Sequence, residues 1–148
     1  SSDSADDSKN RVVFSTGYYS HANRELKDLF GRKVFDYPKP VELIKMLIGA
    51  TVEEGDIVLD FFAGSGTTGH AIYELNSDND YERPIQMILV QIDEKMDDGE
   101  GEFETLADVC YHRLRRVVED LIEDDEPTTE TLDMGLKVFK LADRGSTN

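Results

Sequence analysis

The residues whose types and spacing offer chemistry lie in DFFAGSGTTG, residues 60–69. Gly64 and Gly66 carry no Cβ, so the chain can turn sharply after a strand and bring backbone N–H groups against a ligand. Asp60 precedes the turn, Ala63 and Ser65 complete it, and Thr67 and Thr68 follow at the start of a helical pattern. Such a turn can present amides to a carboxylate, a ribose or a phosphate. A tight turn without a ligand is the plain alternative, but two glycines this close after an apolar strand favour close approach.

Three ligand classes fit to different degrees. A phosphate-binding loop of the G-x-x-x-x-G-K-[ST] type needs a lysine after the glycines, and none follows, which disfavours nucleoside triphosphate hydrolysis. Gly64, Gly66 and Gly69 spell G-x-G-x-x-G, and Asp93 falls near the place where a dinucleotide fold puts its ribose acid, which keeps NAD open. Against NAD, the chain after Asp93 is short for a second mononucleotide half, and much of it is acidic loop and helix. The third class is S-adenosylmethionine. Its ammonium and sulfonium are cationic and its ribose diol wants an acceptor, which Asp60 and either Gln91 or Asp93 can supply.

These side chains need a strand, a turn and a helix to hold them. IVLDFF, residues 57–62, is an almost continuous apolar run that suits a strand covered on both faces, and residues 67–75 shift towards a 3.6 period with Ala71, Ile72 and Leu75 inward. A second buried strand, PIQMILVQID at 84–93, carries Gln91 and Asp93 at its end. Upstream, Pro40 suits the first position of a helix over 40–50 with Leu43, Ile44, Leu47 and Ile48 on one buried stripe. RVVF at 11–14 is a first apolar stretch, and residues 22–30 predict a short peripheral helix ended by Gly31. Downstream, EKMDDGEGEFE at 94–104 reads as a mobile surface loop. Thr105 opens a T-x-x-D capping pattern, followed by Leu106, Val109, Cys110, Leu114, Val117, Leu121 and Ile122 on one helical face. EDDEPTTETLDM breaks that helix, and GLKVFKLA at 135–142 reads as a third strand of a parallel α/β sheet with flanking helices.

The chain has 148 residues, room for one domain or a piece of one. Asp and Glu number 32 against 16 Lys and Arg, and a net charge of −16 repels a phosphate backbone, so DNA affinity by this chain alone is not expected. No apolar run approaches a membrane-spanning length, and the single Cys110 permits neither an internal disulfide nor a Cys-rich zinc site. The polar N-terminus has no signal-peptide core, which leads to the expectation of a cytoplasmic protein. SSDSADDSKN at 1–10 is expected to be a disordered tail and 11–148 the folded part.

VFDYPKPVELIKML, DIVLDFFAGSGTTGHAIYELN and ILVQIDE together resemble the DNA adenine-N6 methyltransferases with permuted, beta-class motif order. The nearest resemblance is to the modification subunit of type III restriction–modification systems, over about residues 16–141. It implies a Rossmann-like S-adenosylmethionine-dependent methyltransferase fold. It also implies that the segment with Phe35, Tyr37, Pro38, Lys39 and Pro40 closes over the methionine end of the cofactor. Asp60, Phe62, Ala63, Gly64, Ser65 and Gly66 would form the floor, and Thr67 and Thr68 would start the helix facing the carboxylate. Gln91 stands where many relatives place a ribose-binding Glu, so Asp93 would share that task. The family's catalytic Asp/Asn-Pro-Pro-Tyr motif is absent: the prolines are Pro38, Pro40, Pro84 and Pro127, and no two are adjacent. No catalytic residue is therefore assigned. The chain reads as the cofactor-binding half of a parent enzyme, with the catalytic and target-recognition half, DNA through that half, and a restriction subunit as implied partners. A non-catalytic assembly or sensor module is the alternative from another class, beside an NAD-binding domain.

The remaining chemical side chains have bland readings. His112, Arg113, Arg115 and Arg116 are expected on a solvated helix face, His70 as a partly exposed helix residue, and Cys110 as a core thiol. The acidic clusters at 78–80, 97–104 and 123–126 have no metal-loop order. Strand 57–62, apolar yet at an edge, is expected to pair with the missing half or to drive self-association. Gly66→Val is expected to fill ligand space while leaving folding nearly intact.

Overall fold

A computed structural model describes residues 17–78, 81–96, 101–124 and 135–141. Four helices and two strands follow in the order α1 (Gly17–Phe30), α2 (Val41–Gly49), β1 (Ile57–Asp60), α3 (Thr67–Asp78), β2 (Gln86–Leu89) and α4 (Leu106–Asp124). The chain is α/β, and β1 and β2 form a parallel pair with Ile57 opposite Gln86 and Asp60 opposite Leu89. Ala63 N–H donates to the Val90 carbonyl at 3.1 Å, which carries the ladder into the glycine turn. The strand–turn–helix unit expected around residues 57–75 is present. The tail at 1–10 and the stretch at 11–14 lie outside the described residues.

Paired residues of parallel strands point to the same face. Val58, Met87 and Leu89 face the helices. Val58 and Met87 pack with Val41, Ile48, Ala71 and Ile72, while Leu89 packs with Ala63, Tyr73, Cys110 and Leu114. Ile57, Leu59 and Ile88 point the other way and are about half exposed. The expectation of strands covered on both faces is thus corrected: among the described residues the helices layer one side only, and the apolar alternate residues of the other side are about half exposed. Leu47, half exposed on α2, also departs from the predicted stripe.

Three further expectations are revised. α1 is not peripheral, because Leu26 and Phe30 form a core cluster with Val34, Phe103, Leu106 and Val109. The 94–104 segment is not merely a surface loop: Phe103 is buried edge-on against Phe30, and Met96 N–H donates to the Glu104 carbonyl at 3.0 Å to close its base. No third strand appears among the described residues, since 135–141 join no ladder and are exposed. Alternation at 135–141 gives a strand only where a sheet edge accepts it; Lys140 instead reaches Asp93, 3.5 Å away.

α4 starts as its sequence predicts. Thr105 N–H and Oγ1–H both donate to Asp108 Oδ2 at 2.8 and 2.9 Å, and Asp108 N–H donates back to Thr105 Oγ1 at 3.2 Å, a reciprocal cap for the helix amides.

Candidate functional site

The turn lies at the carboxyl ends of β1 and β2, where parallel α/β sheets present ligand sites. Gly64 and Gly66 have φ of +57° and +83°, the left-handed region where side chains are strained. The turn is fastened internally. Asp60 uses both oxygens, Oδ1 accepting from Phe62 N–H at 2.9 Å and Oδ2 from Thr68 Oγ1 at 2.6 Å. Gln91, just past β2, accepts Gly64 N–H on Oε1 at 2.8 Å. Gly66 N–H returns to the Ala63 carbonyl at 2.8 Å, and α3 begins on the next residue.

The segment at 38–40 meets this turn. Thr67 Oγ1 donates to the Lys39 carbonyl at 3.4 Å, and Pro38 and Pro40 are buried while Tyr37 and Lys39 are exposed. Phe62 stands at the turn 90% exposed, whereas Ala63, Ser65 and Thr67 are buried. The structure therefore brings Pro38, Lys39, Pro40, Asp60, Ala63, Gly64, Ser65, Gly66, Thr67, Thr68 and Gln91 into one neighbourhood. Phe35 packs instead towards the α1–α4 cluster, and Asp93 is paired with Lys140.

The two glycines differ in surroundings. A Cβ on Gly64 would meet only the Phe62 carbonyl at 3.7 Å, but one on Gly66 would lie 3.0 Å from Cys110 Sγ and 3.3 Å from the Cys110 carbonyl. The space beside Gly66 belongs to α4 and not to a ligand, which corrects the expectation that Gly66→Val spares folding. Gly69 is closed in similarly by Leu114 and Leu89, so it lets α3 lie close on its neighbours. Cys110 is the core thiol expected, and burial pushes its pKa up to about 11.

Beneath the turn lies a polar network that the sequence reading missed. Arg113 has no exposed surface. Its Nε–H donates to His70 Nδ1 at 3.2 Å, and Nη1 donates to Thr67 Oγ1 at 2.9 Å, Ser65 Oγ at 3.2 Å and the Ser65 carbonyl at 3.4 Å. His70, buried rather than partly exposed, faces Glu74 Oε1 through Nε2 at 2.8 Å. Glu74 Oε2 and Asp78 Oδ2 lie 2.9 and 2.8 Å from Lys45 Nζ, which ties α2 to α3. Burial works against the charge of Glu74, but hydrogen bonds from His70 and Lys45 prevail and hold its pKa down to about 2. Burial lowers the Arg113 pKa to about 10 despite the nearby charge of Glu25, and burial raises that of Glu25. Arg113 occupies an interior slot of the periodicity that Leu106, Val109, Cys110, Leu114 and Val117 define, and that spacing was the available signal.

The other members of the basic run divide. Arg115 is exposed and pairs with Glu119 at 2.9 Å, whereas Arg116 lies over the Phe30 ring and donates to the Leu29 carbonyl at 2.7 Å. Only Arg115 fits the solvated-face expectation fully. Among the described residues, no group of His, Cys, Asp or Glu is placed to hold a metal ion, and no helix is long and apolar enough to cross a membrane.

A family described as DNA methylase, covering N6 and N4 enzymes, matches residues 2–98. The type III restriction-modification enzyme StyLTI Mod subunit of Salmonella typhimurium strain LT2 is 37% identical over 123 residues, covering 80% of this chain and 18% of that protein. The EcoP15I Mod subunit of Escherichia coli is 36% identical over 126 residues, covering 81% and 18%. The type II methyltransferase M.KpnI of Klebsiella pneumoniae is 46% identical over 63 residues, covering 43% and 15%. The chain thus spans under a fifth of the length of the Mod subunits it matches. With residues 2–98 inside the family match and 37% identity to a Mod subunit over 80% of its length, the chain belongs to the DNA methylase family.

Proposed function

We propose that this chain is the S-adenosylmethionine-binding part of a site-specific DNA adenine-N6 methyltransferase of a type III restriction–modification system. The observation that carries the reading is the hydrogen bond from Thr67 to Lys39, which joins the 38–40 segment to a glycine turn at the ends of two parallel strands. The fit of the cofactor rests on Gly64, where a Cβ would touch only the Phe62 carbonyl at 3.7 Å, and on the start of α3, where the helix dipole favours a carboxylate. In this reading Tyr37, Lys39, Phe62 and Gly64 receive the cofactor, while Asp60, Thr68 and Gln91 shape the turn. Gln91 already accepts from Gly64 N–H, so its remaining lone pair is the one offered to a ribose hydroxyl. When bound, the cofactor supplies a methyl group on a cationic sulfur for direct displacement by the base amine.

This chain's residues bind and orient; the target base needs a polar and aromatic clamp that its four separated prolines cannot form. The domain would be the Rossmann-like methyltransferase fold in part, with the base-binding half covering the bare sheet face made by Ile57, Leu59 and Ile88. DNA and a restriction subunit would be reached through the parent protein. The test is titration calorimetry with S-adenosylmethionine, S-adenosylhomocysteine and NAD in parallel. Binding of the first two is the expected result. Binding of NAD alone would overturn it, and binding of none would transfer weight to an assembly module.

A further inference from the structure

Arg113 is a cation with no exposed surface, and two acids in its surroundings, Glu25 and Glu74, act on it as charges rather than as hydrogen-bond partners. Burying a guanidinium is costly, so its bonds need to accomplish something that an apolar residue could not. All of the bonds go towards the glycine turn and the first turn of α3. Nη1 reaches Ser65 and Thr67, Nε reaches His70, and Nη2 is buried without a hydrogen-bond partner among the described residues. Since Arg113 donates to Thr67 Oγ1, that oxygen acts as acceptor on one side, and its own proton is directed to the Lys39 carbonyl. One guanidinium thereby sets the polarity of the bond that joins the turn to the 38–40 segment. It also adds positive charge beneath a helix start whose amides already favour anions.

We propose that Arg113 is a positioning residue, holding Ser65, Thr67 and, through the Thr67 hydroxyl, the 38–40 segment in the arrangement that receives the carboxylate of the cofactor's amino-acid end. This rests on the cofactor reading above. It makes a distinction that a purely structural role does not. Ligands carrying the amino-acid end depend on Arg113, whereas the adenosine end alone does not.

The experiment titrates the wild-type chain, Arg113→Met, Arg113→Lys and Thr67→Val with S-adenosylhomocysteine and with methylthioadenosine, which lacks the amino-acid group. Amide exchange is followed in the same four proteins. Arg113→Met and Thr67→Val are expected to weaken S-adenosylhomocysteine at least tenfold and methylthioadenosine less than twofold, with partial rescue in Arg113→Lys. Exchange at residues 64–68 and at Lys39 should rise in Arg113→Met, and at Lys39 in Thr67→Val. Equal weakening of both ligands, or of neither, would overturn the proposal. If the wild-type chain binds neither ligand, the cofactor reading fails on that result. The positioning role is then decided by exchange: unchanged protection at Lys39 and 64–68 in Arg113→Met overturns it.

Discussion

A methyl group added at Gly66 would press on Cys110 Sγ and its carbonyl, whereas at Gly64 it would make only an ordinary contact with the Phe62 carbonyl, both at backbone angles side chains avoid. The two substitutions therefore separate folding from binding. Gly66→Val should destabilise by about 2–5 kcal/mol, combining left-handed strain with overpacking, while Gly64→Ala should cost about 1–2 kcal/mol from strain alone. Urea unfolding measures both, and a Gly66→Val protein as stable as wild type would contradict the contact with α4. Gly64→Ala should in addition weaken S-adenosylmethionine, since the added carbon occupies the open side of the turn. At this scale the glycines and Asp60 were legible because turn chemistry is local. Arg113 was not, because its neighbours Ser65 and Thr67 lie 48 and 46 residues away in sequence. A charged residue on an apolar stripe looks solvated until its partners are known.

α2 and α3 are fastened by Lys45 between Glu74 and Asp78, and the sign of the resulting pH dependence follows from Glu74. Its folded pKa of about 2 lies below the ordinary 4.5. The stabilisation is fully present above pH 4.5 and is lost as pH falls towards 2. Because Glu74 is partly exposed, solvent screening reduces the contribution to about 1–2 kcal/mol. Glu25, raised by burial, acts in the opposite sense and favours the fold as it protonates. Urea midpoints at pH 6 and pH 3 should fall further for wild type than for Glu74→Gln; an identical fall would remove Glu74 from the account. Helices α2, α3 and α4 were readable from apolar periodicity and from the Thr105 cap, which are short-range. The 135–141 strand was misread because a strand needs a neighbouring edge, and sequence alternation does not supply one.

The described residues form half a sandwich, with helices on one side of a two-stranded sheet and Ile57, Leu59 and Ile88 bare on the other. Covering the exposed half of each such side chain gains roughly 1 kcal/mol, which favours association through this face. Light scattering of the isolated chain should give a mass that rises with concentration, and Leu59→Lys with Ile88→Lys should return it to one chain's mass. A wild-type mass constant across concentration would exclude this face as an association surface. The continuous apolar strand was visible in the sequence and predicts cover on both faces; that one face lies bare was not visible, since that depends on where the packed helices settle.

α1 is clasped to α4: Arg116 bonds the Leu29 carbonyl across 87 residues, and Phe103 seats on Phe30. Closing so long a loop is entropically slow, while α2, β1, α3 and β2 follow one another with short separations. The backbone bonds of the glycine turn come from near neighbours, whereas its Arg113 bonds and the seat of α1 both require α4 to be in place. One helix therefore fastens two regions at once, and loosening α4 should release α1 and the ligand turn together.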